Sequence, residues 1–135
     1  MSDATRPLYV TKTEAIYLHD WVIDEYGGRP GIHDRGALEL CLAQPQIQLA
    51  NGYEPYPSLA EQAAAYAFFF ARNHPFREGN KRTALLVGVH FLRKNGLAHV
   101  YDEDAITDVI RDVVAKQAGM DELVALFRTP RPPLT

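Results

Sequence analysis

One short stretch, His74-Pro-Phe-Arg-Glu-Gly-Asn-Lys-Arg82, gathers a histidine, a carboxylate, a glycine–asparagine pair and two adjacent cations. Lys81 and Arg82 fall in the predicted first turn of a helix. Cations there oppose the helix dipole at a cost of about 0.3–1 kcal/mol each when exposed. An anion seated at that terminus resolves the conflict. Gly79 and Asn80 allow a tight backbone curve whose N–H groups point outward as an anion-binding nest. Arg82 can then grip phosphate oxygens as a fork. Glu78, the only acid in the stretch, suits a magnesium ion bridging those phosphates, because magnesium takes one or two carboxylates together with phosphate oxygens and water. His74, at the far end, can act as a base near neutral pH. Phe76, between polar neighbours, is expected to turn into the core and fix the stretch. Any one of these residues is ordinary in a solvated turn; the set at this spacing is not. It is no P-loop, since G-x-x-x-x-G-K-[ST] occurs nowhere in the chain.

The elements that must position this stretch read as helices almost throughout. Thr11-Lys-Thr-Glu14 is a capping box that opens a first helix, with Ile16, Tyr17, Trp21, Val22 and Ile23 as its inner face. It ends at Tyr26-Gly27-Gly28, and the glycine- and proline-rich loop to Asp34 follows. A short second helix spans about Arg35 to Ala43. Over residues 46–56 Ile47 and Leu49 alternate with glutamines and Asn51-Gly52 signals a tight turn. Two readings stay open there: a small β-hairpin flap or a plain surface loop. Ser58-Leu-Ala-Glu61 opens a helix to about Asn73 that is apolar almost all round, as suits the centre of a bundle. A second buried helix spans about Asn80 to Lys94. Amphipathic helices over about Glu103 to Gln117 and Met120 to Phe127 complete an all-α bundle of about six helices. Residues 1–10 and 129–135 are expected to be loose ends of a single domain over 1–135.

The 135 residues predict one domain, at about 150 residues per domain. Apolar residues make up 47% and charged residues 23%, a globular composition. The longest apolar run, Ala63 to Ala71, is too short to span a bilayer, and MSDATRPLYV lacks the pattern of a signal peptide. The single cysteine, Cys41, excludes an internal disulfide and suggests a cytoplasmic setting. The net charge of −3 argues against non-specific wrapping of nucleic acid. Its distribution says more. Arg72 to Arg82 carries a net +3 and Asp102 to Glu122 a net −5. A small basic focus on an acidic protein suits a compact anion.

The stretch from His74 to Arg82 resembles the signature of the Fic/Doc family, H-x-F-x-[DE]-[GA]-N-[GK]-R. Tyr26-Gly-Gly-Arg-Pro-Gly-Ile-His-Asp34, Lys81-Arg-Thr-Ala84 and Phe91-Leu-Arg-Lys-Asn-Gly96 extend the likeness, which covers about Tyr17 to Tyr101 and is nearest to the death-on-curing (Doc) toxins. The resemblance implies a Fic/Doc-like bundle and transfer of part of ATP to a protein hydroxyl. Fic enzymes transfer AMP. Doc toxins transfer the γ-phosphate to a threonine of elongation factor Tu and stop translation. By motif position, His74 is then the base, Glu78 the magnesium ligand, Gly79 and Asn80 the nest and Arg82 the phosphate grip. Lys81 matches Doc where Fic has glycine, whereas Glu78 and Gly79 read more like Fic. No serine or threonine is followed four residues later by glutamate, so the inhibitory pattern [ST]-x-x-x-E-[GN] is absent. The resemblance therefore implies an antitoxin supplied in trans, whose helix fills the groove. Direct nucleic-acid and membrane partners are not expected.

Other candidates carry blander readings. His19 is expected to be a surface or packing residue, His90 a satisfied histidine within a core helix, His99 structural or exposed, and Cys41 a small core residue. His33, in the glycine loop, has two readings: a contact to nucleotide or partner, or a plain loop position. No histidine pair has zinc spacing. Three function classes follow: a Doc-type kinase toxin, a Fic-type AMP transferase and a non-catalytic binding module.

Overall fold

The computed structural model describes residues 6–97 and 101–128. Six α-helices follow one another: α1 (Lys12–Tyr26), α2 (Arg35–Ala43), α3 (Leu59–Asn73), α4 (Asn80–Lys94), α5 (Glu103–Val114) and α6 (Met120–Arg128), with a 3₁₀ turn over Gln44–Gln46 after α2. The all-α expectation holds, and among the described residues there is no strand. No described helix is long and apolar enough to cross a membrane.

The helices begin where their caps dictate. The Thr11 hydroxyl accepts from the Glu14 N–H and the Glu14 carboxylate accepts from the Thr11 N–H, so the capping box is reciprocal. At α3 the Ser58 hydroxyl accepts from the Glu61 N–H and donates to the Glu61 carboxylate instead. Asp34 and Asp102 cap α2 and α5.

Helix α3 is the axis of the bundle and lies against α2, α4, α5 and α6, while α1 closes on α4. Its alanines Ala63, Ala64, Ala65, Ala67 and Ala71 are fully buried and let neighbouring helices come close. At Gly88 of α4 an added Cβ would lie 2.8 Å from Phe127 Cζ and 3.1 Å from the Ala63 carbonyl oxygen. Of the three consecutive phenylalanines, Phe70 is fully buried, whereas Phe68 and Phe69 are half-buried. Cys41 is buried with its thiol donating to the Phe69 carbonyl; burial pushes the thiol up to about 12, which makes it a core residue and no nucleophile.

One open reading is decided and two expectations need correction. In the first, Tyr17 and Trp21, placed on the inner face of α1, are exposed. The turn at Asn51-Gly52 forms, with Gly52 N–H donating to the Leu49 carbonyl, but no hairpin ladder grows from it. Ile47 and Leu49 stay exposed, and a two-stranded ribbon with no apolar face to bury is marginal in water. The loose N-terminal end does not hold over residues 8–10. Leu8 exchanges two hydrogen bonds with the Asn95 side chain, Tyr9 accepts from Lys94 Nζ, and the buried Val10 N–H donates to the Tyr66 hydroxyl. His99 and residues 129–135 lie outside the described residues.

Lys94, near the end of α4, also donates to both Glu14 oxygens, at 2.8 and 2.9 Å. Partial burial raises the Glu14 carboxyl, but Lys94, the Thr11 N–H and the nearby His90 more than offset this and hold it at about 2, below its ordinary 4.5. His90 is half-buried, with Nε2 3.6 Å from Glu14.

Two outcomes are expected. Gly88→Ala should destabilise the fold by about 1–3 kcal/mol despite the better helix propensity of alanine, because the Ala63 carbonyl cannot yield; urea denaturation measures this. A carboxyl depressed in the folded state contributes stability above its unfolded pKa and loses it as pH falls towards the folded value. Glu14→Gln should therefore be less stable than wild type near neutral pH, with the difference closing as pH falls from about 4.5 to about 2 in denaturation curves taken across that window.

Candidate active site

The α3–α4 connection has to reverse the chain between two buried helices. Helix α3 ends at Asn73, and His74 takes the left-handed conformation (φ 47°, ψ 59°) that is usually left to glycine. Pro75 blocks any further helix. The chain then runs alongside the loop after α1. Arg77 N–H donates to the Gly31 carbonyl, while the N–H groups of His33 and Asp34 donate to the Pro75 carbonyl, making a single antiparallel bridge between Ile32 and Phe76.

Phe76 is only 1% exposed, as expected of an anchor. Its ring stacks on His19 of α1 at 3.8 Å between centroids and lies 6.3 Å from Phe70. The Asn80 side chain grips its backbone on both sides: Oδ1 accepts from Phe76 N–H and Nδ2 donates to the Phe76 carbonyl, at 3.0 and 2.9 Å. His19 Nε2 lies 2.7 Å from the Glu78 carbonyl, which can only accept, so Nε2 carries the hydrogen. His19 is thus neither a surface residue nor mere packing. It holds the motif backbone, and only the fold could show it, because 59 positions separate His19 from Glu78.

Gly79 follows with φ 80°, its Cα against Val22 and Ile23, where an added Cβ would come within 3.2 Å of Val22. No side chain caps α4. Its first backbone bond is Thr83 N–H to the Gly79 carbonyl, so the N–H groups of Asn80, Lys81 and Arg82 fall outside the ladder. This is the geometry of an anion nest: a left-handed residue followed by free N–H donors at the positive end of a helix dipole.

The side chains divide between two clefts. His74, Phe76 and Asn80 border one of about 430 Å³, with Arg29, His33 and Arg77. Lys81 and Arg82 border a second, of about 390 Å³, with Trp21, Tyr26, Glu103 and Arg111 among its walls. The Arg82 guanidinium lies 3.9 Å from the centroid of the Tyr26 ring, a cation–π contact. Glu78 turns towards the α1–α2 loop, where one oxygen accepts from the Arg29 N–H and lies 3.5 Å from Arg29 Nε. Arg29 and Tyr26 are not singled out by sequence, although both lie in the Tyr26–Asp34 segment, the end of α1 and the loop after it, that resembles the family.

Among the described residues no three His, Cys, Asp or Glu side chains converge as a metal cage. Glu78 alone offers a half-exposed carboxylate beside the nest. That donor set fits magnesium, which binds through one carboxylate, substrate phosphates and water, and it does not fit a metal that needs an all-protein cage.

Comparison with known proteins places the chain among relatives. Residues 9–92 match the model of the Fic/DOC family. The chain is 40% identical over 101 residues to Protein kinase doc of Escherichia phage P1, covering 75% of this chain and 78% of that protein. It is 36% identical over 102 residues to Toxin Doc of Mycolicibacterium smegmatis (strain ATCC 700084 / mc(2)155), covering 74% and 78%.

Asn80→Ala leaves both backbone groups of Phe76 buried without partners and should cost about 1–3 kcal/mol. His19→Phe keeps a ring against Phe76 and loses only the donor to the part-exposed Glu78 carbonyl, so it should cost less. Urea denaturation of the two variants side by side checks the order.

Proposed function

The chain belongs to the Fic/DOC family, and from that premise we propose that it is the toxin of a toxin–antitoxin pair, a kinase that transfers the γ-phosphate of ATP to a hydroxyl of a translation factor. The favoured target is a threonine of elongation factor Tu. The observation that carries the reading is the uncapped N-terminus of α4 with Gly79 left-handed before it, Lys81 and Arg82 in its first turn, and His74 across the connection. The similarity to Protein kinase doc supports phosphate over AMP as the transferred group. So does Lys81, which places a compact cation where Fic enzymes have glycine.

In this reading the phosphates of ATP lie on the N–H groups of Asn80, Lys81 and Arg82, and Arg82 leaves the Tyr26 ring to grip them. Glu78 would hold magnesium, which neutralises phosphate charge when bound. His74 takes the proton of the target hydroxyl as its oxygen attacks the γ-phosphorus. The bond from that phosphorus to the β–γ bridging oxygen breaks, and ADP leaves. An antitoxin helix docked over the groove would block this step, consistent with the missing inhibitory motif in the chain itself.

The test incubates the protein with elongation factor Tu and ATP labelled at either the α- or the γ-phosphate, then weighs the target by mass spectrometry. The expected result is γ-label and the mass of one phosphate; α-label and the mass of AMP would replace the assignment with AMP transfer. His74→Gly should lower transfer about 10²–10⁴-fold. Its stability should stay within about 1 kcal/mol of wild type, because glycine tolerates the left-handed backbone while gaining entropy in the unfolded chain.

A further inference from the structure

We propose that the cleft in front of His74 selects its acceptor by an acidic side chain next to the hydroxyl that is modified. The inference rests on the phosphotransfer reading above. The cleft is bordered by Arg29, His33 and Arg77, and no acid lines it, although the protein as a whole carries a net charge of −3. Glu78 and Arg29 are paired with each other, and Asp34 accepts from the N–H of Ala37 at the start of α2, which leaves Arg77 as the free guanidinium of the cleft. Arg77 makes no ion pair among the described residues. Its side chain lies across Gly31, where a Cβ would sit 3.5 Å from its Nε.

Neither the nest nor the base accounts for the two guanidinium groups and the imidazole beside them. Arg77 occupies a position that the signature H-x-F-x-[DE] leaves open, and Arg29 and His33 come from the α1–α2 loop. Direction decides what they meet. Phosphoryl transfer is in line, with the attacking and leaving oxygens on opposite sides of phosphorus. Lys81 and Arg82 border the cleft on the Tyr26 side, so the donor's phosphates are held at the α4 terminus and towards that side. The acceptor comes in on the His74 side, past Arg29, His33 and Arg77. A guanidinium there matches a carboxylate through two parallel hydrogen bonds, giving register as well as attraction.

The experiment has two arms. In the first, fluorescein-labelled peptides carrying a threonine flanked by aspartates, or by asparagines, are titrated with the full protein without ATP and followed by anisotropy. The acidic peptide should bind roughly tenfold tighter to wild type, and Arg77→Glu should abolish the preference. A lysine-flanked peptide should in turn favour Arg77→Glu. Equal binding of the acidic and neutral peptides to wild type would overturn the proposal, whatever the reaction proves to be. The second arm measures transfer to elongation factor Tu. Arg77→Glu should raise KM for the acceptor roughly tenfold with KM for ATP unchanged. A rise confined to KM for ATP would assign Arg77 to the nucleotide and overturn the proposal. Absence of transfer by wild type, with the peptide preference intact, would count against the kinase reading alone.

Discussion

The geometry of the candidate site depends on the burial of one ring. Phe76 is the wedge by which a polar connection is fixed to an apolar bundle. With His19 on one face and Phe70 nearby, its position sets where the chain turns. Burying that ring also buries its peptide groups, which must then find partners. The Asn80 side chain supplies both, acting as a strand made of one side chain. Asn80 is at the same time the first residue of α4, so the clasp aligns the helix terminus with the loop. The helix terminus, Glu78 and His74 are thereby held in one frame, as preorganised electrostatics would require of the proposed site.

Much of this was legible in the sequence because it is local. The capping residues, the glycine after α1 and the proline after α3 act on their immediate neighbours, and they place those helix ends within a residue or two, whereas α5, with no such stop signal, ends at Val114 rather than near Gln117. What stayed hidden arises across long separations. Arg29 meets Glu78 from 49 positions away, and Asn95 holds Leu8 from 87. The segment left open between hairpin and loop shows the converse: alternation at Ile47 and Leu49 is a local pattern, and it resolves as a loop because no layer covers it. The fanning of the motif residues was hidden for a geometric reason. Successive residues of a helix turn by about 100°. With Asn80 pointed inward, Lys81 and Arg82 rotate towards α1 and α5 and away from His74, although in the sequence they look like one cluster.

The two clefts differ in their electrostatic character. The one bordered by Lys81 and Arg82 is of mixed sign, because α5 contributes Glu103 and Asp104. Its cations are partly balanced, and Arg82 rests on an aromatic face. The cleft at His74 is lined by groups of one sign or neutral ones. A charged ligand approaching an acidic protein is steered by such local contrasts more than by net charge.

The left-handed backbone of His74 has a consequence for how the gene drifts. Most inactivating substitutions in a small domain also weaken its fold, so selection against misfolding removes them together with the activity. Here the side chain proposed to do the chemistry occupies a position where glycine or asparagine would sit more comfortably. The coupling is broken at this codon: a lineage under pressure to silence the protein can do so without unfolding it. The resulting chain would still fold and keep its clefts.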